Sequence, residues 1–232
     1  GSIAEALHAS DYAMYAYLQM GKDSEAKAIL DGLPALAARF DPNAVTGAAP
    51  GSAGVFALAA IPARWALERR AWAEAAALEP KASAFPYTEA MTYFARALGA
   101  SHTGDLAKAR ASVDSLGSIQ RRLTAKGEAY WAEQVAIQNL EARAWLDFAE
   151  KREGGSGKGE AGAALALMHD AVVREDATEK SAVTPGPLTP ARELLGDMLM
   201  ELDRPVEARA EYRETLKKEP NRRHSLRGAG AG

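Results

Sequence analysis

Residues 190–221 read Pro190-Ala-Arg-Glu-Leu-Leu-Gly-Asp-Met-Leu-Met-Glu-Leu-Asp-Arg-Pro-Val-Glu-Ala-Arg-Ala-Glu-Tyr-Arg-Glu-Thr-Leu-Lys-Lys-Glu-Pro-Asn221. The spacing of apolar residues predicts two amphipathic helices around a tight turn at Asp203-Arg204-Pro205. Asp203 ends the first helix, a position where Asp tolerates left-handed geometry. Pro205 suits the first turn of the second helix, where its missing N–H is not needed. Pro220 stops that helix, because the residue before a proline is pushed out of helical geometry. Gly196 and Ala208 lack bulk where the two helices should cross, which lets their axes approach closely. Tyr212 and Leu216 lie one turn apart and should form the buried stripe of the second helix.

In this stretch Leu195-Gly196, Ala208, Tyr212, Leu216 and Pro220 fall where a tetratricopeptide (TPR) unit of about 34 residues places Leu-Gly, a small residue, an aromatic, a large aliphatic and the closing proline. The stretch resembles one such unit. Weaker echoes precede it. Gly21 is followed five residues later by Ala26, Arg70 by Ala75, and Gly104 by Ala109, the same interval as Asp203 to Ala208. Helices are expected over Ile3 to Met20, then from Lys22 to Leu30, where Gly32 and Pro34 disturb the pattern. Further helices are expected from Val55 through Leu67, over Ala71 to Leu78, Tyr87 to Ala100, Asp105 to Leu123, Gly127 to Ala149 and Ala161 to Val173. Loops are expected over Asp41 to Ser52 and Ala177 to Thr189. The expected fold is all-α: a right-handed α-solenoid of about five TPR-like helix pairs, partly degenerate, forming a single domain over residues 1–232.

Composition narrows the function. The chain has 28 basic and 31 acidic residues, a net charge of −3, and so no electrostatic footprint for nucleic acid. It has no cysteine, hence no disulfide framework and no thiol nucleophile. No apolar run approaches the ~20 residues of a membrane span. Gly1-Ser2 resembles a cloning scar fused to a helix already under way, so the chain is expected to be a piece of a longer protein. The run Lys151-Arg152-Glu153-Gly154-Gly155-Ser156-Gly157-Lys158-Gly159 is read as a flexible turn insertion, because a phosphate loop would need Ser or Thr after Lys158 and a preceding strand. Residues 222–232, basic and then Gly/Ala-rich, are read as a frayed tail.

Three further segments, Ala60-Ile61-Pro62-Ala63-Arg64, Arg174-Glu-Asp-Ala-Thr-Glu-Lys180 and Val183-Thr-Pro-Gly-Pro-Leu188, resemble a group of bacterial TPR-containing proteins of uncertain function. That resemblance implies the C-terminal half of a longer, exported (periplasmic) protein with a His-rich N-terminal half. In the group a His-Pro pair follows Glu-Lys, where this chain has Ser181-Ala182. The Pro185-Gly186-Pro187 turn is read as a stiff lead-in to the next helix, with a ligand contact as the alternative.

No catalytic constellation stands out. His8, His102, His169 and His224 lack the i, i+4 pairing of a helical zinc site. Carboxylate pairs such as Glu141 with Asp147 are read as salt-bridged exposed faces. No cofactor or metal is expected. The TPR resemblance implies that the first helix of each pair lines a concave groove, and it selects His8, Asp11, Tyr12, Tyr15 and Gln19, then Arg64 and Glu68, then Glu193, Asp197 and Glu201. The expected function is a scaffold binding a protein or peptide partner in that groove. The alternatives are an all-α enzyme with a carboxylate pair in a closed pocket, a metal-dependent site completed by the absent half, and a purely structural half of a larger protein.

Overall fold

The computed structural model describes residues 2–44, 47–154 and 161–230. Among them there are eleven helices and no strand: α1 (Ile3–Met20), α2 (Asp23–Ala37), α3 (Gly51–Glu68), α4 (Trp72–Ala76), α5 (Pro86–Thr103), α6 (Leu106–Ala125), α7 (Ala129–Glu153), α8 (Gly162–Asp176), α9 (Ala191–Glu201), α10 (Pro205–Lys218) and α11 (Arg223–Gly230). None is long and apolar enough to cross a membrane.

One turn recurs. Gly21, Arg70, Gly104, Gly127 and Asp203 all have positive φ, between 54° and 81°. The residue after each donates its N–H to a carbonyl five residues back: Lys22 to Tyr17, Ala71 to Ala66, Asp105 to Ala100, Glu128 to Leu123 and Arg204 to Leu199, at 2.8–3.0 Å. This is the Schellman closure that satisfies orphan carbonyls at a helix C-terminus. Five residues after each turn residue comes an alanine in the first turn of the next helix. Ala26, Ala75, Ala109 and Ala208 are fully buried and Ala132 nearly so. A left-handed residue sends the chain straight back along its own helix, so the returning helix starts in contact and only a methyl fits there. The interval read from four turns thus holds at a fifth, Gly127 to Ala132, between α6 and α7.

Consecutive helices pack on one another, and the odd-numbered ones also pack in succession: α1 on α3, α3 on α5, α5 on α7 and α7 on α9. Helix α3 is shared between two clusters. Ala57, Ile61 and Trp65 join Leu7, Met14 and Leu18 of α1, while Phe56, Ala60, Ala63 and Leu67 join the main core running to Tyr212. Close approach depends on glycine at α9, where a Cβ on Gly196 would meet the Tyr212 ring at 2.6 Å. Leu216, expected in the buried stripe with Tyr212, is only partly buried, and Thr215 takes the inner position.

Several boundaries differ from expectation. Helix α2 passes through Gly32 and Pro34 to Ala37; Pro34 lies on its exposed face, where water can take the carbonyl that loses its donor. Helix α3 starts at Gly51, four residues early. Helix α7 takes in Lys151, Arg152 and Glu153, and the rest of the expected turn insertion, 155–159, lies outside the described residues. The expected frayed tail is instead α11, preceded by a fully buried Arg222. Helix α11 packs on α10 and also touches α1, so the two ends of the described chain meet.

Candidate functional site

Most of the ten residues selected by the repeat register lie along the seam where those ends meet and find their partners within the chain, whereas Glu201 reaches Arg152 of α7. Arg64 donates through Nε to Asp11 Oδ1 at 3.0 Å, with both side chains fully buried. It also donates to the Pro187 carbonyl at 3.2 Å and Thr184 Oγ1 at 3.4 Å. Tyr12, still part-exposed, donates its hydroxyl to the carbonyls of Ala182 and Thr184. Arg222 binds Glu193 at 2.8 Å and Glu68 at 2.9 Å. The Tyr15 ring lies near the guanidiniums of both Arg64 and Arg222. Gln19 Oε1 accepts the backbone N–H of Arg223. Asp197 takes Arg70 at 2.8 Å, the Tyr212 hydroxyl at 2.7 Å and His224 at 2.5 Å. Glu201 pairs with Arg152, and His8 packs edge-on against Tyr12. The chain's own 182–187 segment thus supplies partners to Tyr12 and Arg64, and residues 222–225 supply them to Gln19, Glu68, Glu193 and Asp197, while Tyr12 and Glu201 stay exposed.

What this seam does is fix one wall of a different site. The segment Thr184–Pro187, held by Arg64 and by Lys180 Nζ on the Thr184 carbonyl, borders a cleft of about 1000 Å³, part of it open to solvent. Segments 60–64, 174–180 and 183–188 meet at this cleft: Arg64 from the first holds the third, and Glu175 and Lys180 come from the second. Helix α7 supplies the floor. Trp131, Gln134, Gln138 and Glu141 all line the cleft, at the i, i+3, i+7, i+10 spacing of one helix face. Tyr87 from α5 stacks on Trp131 with ring centroids 3.9 Å apart, and Tyr130 meets the same indole edge-on at 4.9 Å. Glu175 at the end of α8 and Glu219 after α10 enter from the opposite side.

Glu141 was expected on an exposed, salt-bridged face with Asp147. It is instead 1% exposed, its Oε1 has no partner, and the carboxyl it faces electrostatically is Glu175. A helix packed on several sides at once has no solvent face, so a glutamate on it need not be a surface residue. Three more buried polar atoms on the cleft lack partners: Gln134 Nε2, Gln138 Oε1 and Thr189 Oγ1. The Pro-Gly-Pro turn, read as a lead-in, contributes Gly186 and Pro187 to the wall.

Burial sets the charge state of the cleft. It pushes Glu141 well above the usual carboxylate range, with the charge of Glu175 adding to the effect. It also pushes Glu175 up to about 7, although the Ala191 N–H and Lys218 pull the other way, and it raises Glu219. At the seam the outcome is opposite. Burial alone would raise Glu193 and Asp197, but Arg222 holds the first and Arg70 with His224 the second at about 2.

These opposing shifts predict a stability maximum near pH 4.5. From the unfolded value near 4.5 up to about 7, the folded chain binds more protons than the unfolded one at Glu175 and Glu141, so stability falls as pH rises through that window. Below about 4.5 the sign reverses, because Glu193 and Asp197 stay ionised in the folded chain and lose their contribution as pH falls toward 2. Asp176, Lys180, Arg192, Lys218, Glu219 and Tyr87 also face the cleft. Thermal melts of the wild type and of Glu141→Gln/Glu175→Gln check this: the double variant should lose the decline between pH 5 and 8 and keep the acid limb. An unchanged profile would contradict the assignment.

Among the described residues no cluster of His, Asp and Glu is arranged to hold a metal ion. His102, pushed down to about 4 by burial, is stacked on Trp72 at 3.8 Å and lies beside Trp145, away from the cleft. Comparison of the chain with known protein families, curated proteins and solved structures found no match.

Proposed function

We propose that this chain is a binding protein that takes a small guest into the cleft between α5, α7 and the 177–190 segment. The helix pairs are read as TPR-like units of a right-handed array, and the recurring left-handed turn with its alanine supports that reading. One observation carries the functional proposal: Gln134, Gln138, Glu141 and Thr189, each with a buried polar atom that has no partner, all line one aromatic-walled cleft. An unsatisfied buried polar group costs roughly 1–3 kcal/mol, a cost recovered when a guest supplies the missing partner. A concave site with an apolar wall and a few convergent polar groups is the usual form of a small-molecule site.

A second reading is acid–base catalysis on the same guest, favoured by the two carboxyls, Glu141 and Glu175, whose affinity for a proton burial raises. A peptide along the first-helix faces, the partner expected from the register, is a weaker proposal, because of its ten residues only Tyr12 and Glu201 are exposed. The test is a thermal-shift screen of small molecules, with hits measured again on Trp131→Leu and Glu141→Gln. A genuine guest at hundredfold excess over its Kd should raise the wild-type Tm by about 5 °C or more and neither variant's by as much. Hits that stabilise all three proteins equally, or no hits, would count against the cleft.

A further inference from the structure

We propose that the cleft is a site for an organic ammonium ion, its cationic nitrogen seated against Glu141 and Glu175 and the apolar body of the molecule against Trp131 and Tyr87. This rests on the cleft being the binding site and goes further by naming the chemistry of the guest. Every cation on the cleft wall is already engaged. Lys218 Nζ donates to the carbonyls of Glu175 and Thr178 at 2.9 and 3.1 Å. Lys180 donates to the Thr184 carbonyl, and Arg192 bridges Asp176 and Glu211. Against these three cations the cleft is lined by six acids, Glu141, Glu175, Asp176, Glu179, Glu214 and Glu219, a balance that disfavours an anionic guest.

The acids are less well served. Glu141 has no cation or hydrogen-bond donor on Oε1 despite near-complete burial, and the donor recorded on Glu175 is a backbone N–H, that of Ala191, at 2.9 Å. Two carboxyls so placed favour a guest that brings positive charge and several N–H donors. A protonated amine has both, and the electron-rich faces of Tyr87, Tyr130 and Trp131 attract the same charge. Thr189 Oγ1, 2% exposed and unpartnered, and Gln138 Oε1 can accept further N–H groups. A neutral hydroxylated guest could use the amides and Thr189 but would bring no charge to favour the ionised form of either carboxyl, which an ammonium does.

The test is an isothermal titration series at neutral pH with three probes of nearly one shape: benzylamine, benzyl alcohol and benzoate. Benzylamine should bind about tenfold or more tightly than benzyl alcohol, and benzoate should show no binding. In Glu141→Gln, which keeps the size and hydrogen-bonding capacity of the side chain, the preference for the amine should shrink to about threefold or less, with the melting profile at pH 5 showing the variant folded. If benzyl alcohol binds as well as benzylamine, the ammonium assignment is wrong and the cleft as a binding site stands. If none of the three binds, the ammonium assignment is overturned. If the broad screen also finds no guest, the binding reading falls with it.

Discussion

Arg222→Ala should destabilise the protein by about 3–5 kcal/mol, the range for breaking a buried ion pair by removing one partner. Arg222 is fully buried and binds two carboxylates on helices far apart in the chain, Glu68 of α3 and Glu193 of α9. Deleting the guanidinium takes the cation from Glu68, whose side chain is 4% exposed, and leaves Glu193 to the more distant Arg70, at 3.8 Å. It also unpins α11, whose Ser225 hydroxyl donates to Glu193. Replacing Arg222, Glu193 and Glu68 together by methionine should cost less than Arg222→Ala alone, because well-packed apolar groups remove the desolvation penalty along with the whole ion-pair triad. Chemical denaturation of the three proteins decides the point. A loss under about 1 kcal/mol for Arg222→Ala, typical of a solvated surface pair, would mean that the chain ends do not close as described.

Gly99→Ala should also destabilise, by about 1–3 kcal/mol, against the usual gain of roughly 0.5–1 kcal/mol when alanine replaces glycine inside a helix. Gly99 lies in α5 where α4 crosses it. A Cβ there would meet the Trp72 carbonyl oxygen at 2.5 Å, the Ala76 nitrogen closer still, and the Ala75 methyl at 2.8 Å. Two of these obstacles are backbone and cannot rotate away, so α4 must move. Gly32→Ala in α2, where nothing lies within 4 Å of the added methyl, should show the ordinary stabilisation. Opposite signs for the two substitutions in thermal melts would support the close α4–α5 contact. A stabilising Gly99→Ala would contradict it.

The fold was legible because its turns restrict residue choice. A left-handed residue selects glycine or a tolerant polar side chain, and the helix that returns in contact selects alanine, so the interval is visible from sequence at Gly21, Arg70, Gly104 and Asp203. Gly127 shows the same interval to Ala132 but joins α6 to α7, a connection that an expectation built on helix pairs does not single out. The inward faces of α1, α3 and α9 were legible for the same reason.

What fills those faces was not. Arg222 stands just past a helix-stopping proline among basic residues, the pattern of a solvated tail, and its partner Glu68 is 154 residues away in sequence. Glu141 was misplaced because α7 buries residues around most of its circumference, from Val135 and Ile137 to Trp145 and Phe148, so no polar face marks the difference between a solvated and an enclosed glutamate. The usable signal was the stripe Trp131, Gln134, Gln138 and Glu141: polar residues at helical spacing leading away from an aromatic. Such a stripe marks a site only once the opposing wall, here Glu175 and the Thr184–Pro187 turn, is known to face it.

The most direct measurement is the diffraction pattern of crystals grown with saturating benzylamine. The account predicts the ammonium nitrogen at about 2.7–3.2 Å from a carboxylate oxygen of Glu141 or Glu175, with the ring against Trp131 and the Thr184–Pro187 wall in place behind it. Density for the amine elsewhere on the protein, or carboxyls in the cleft that make no contact with it, would contradict the account.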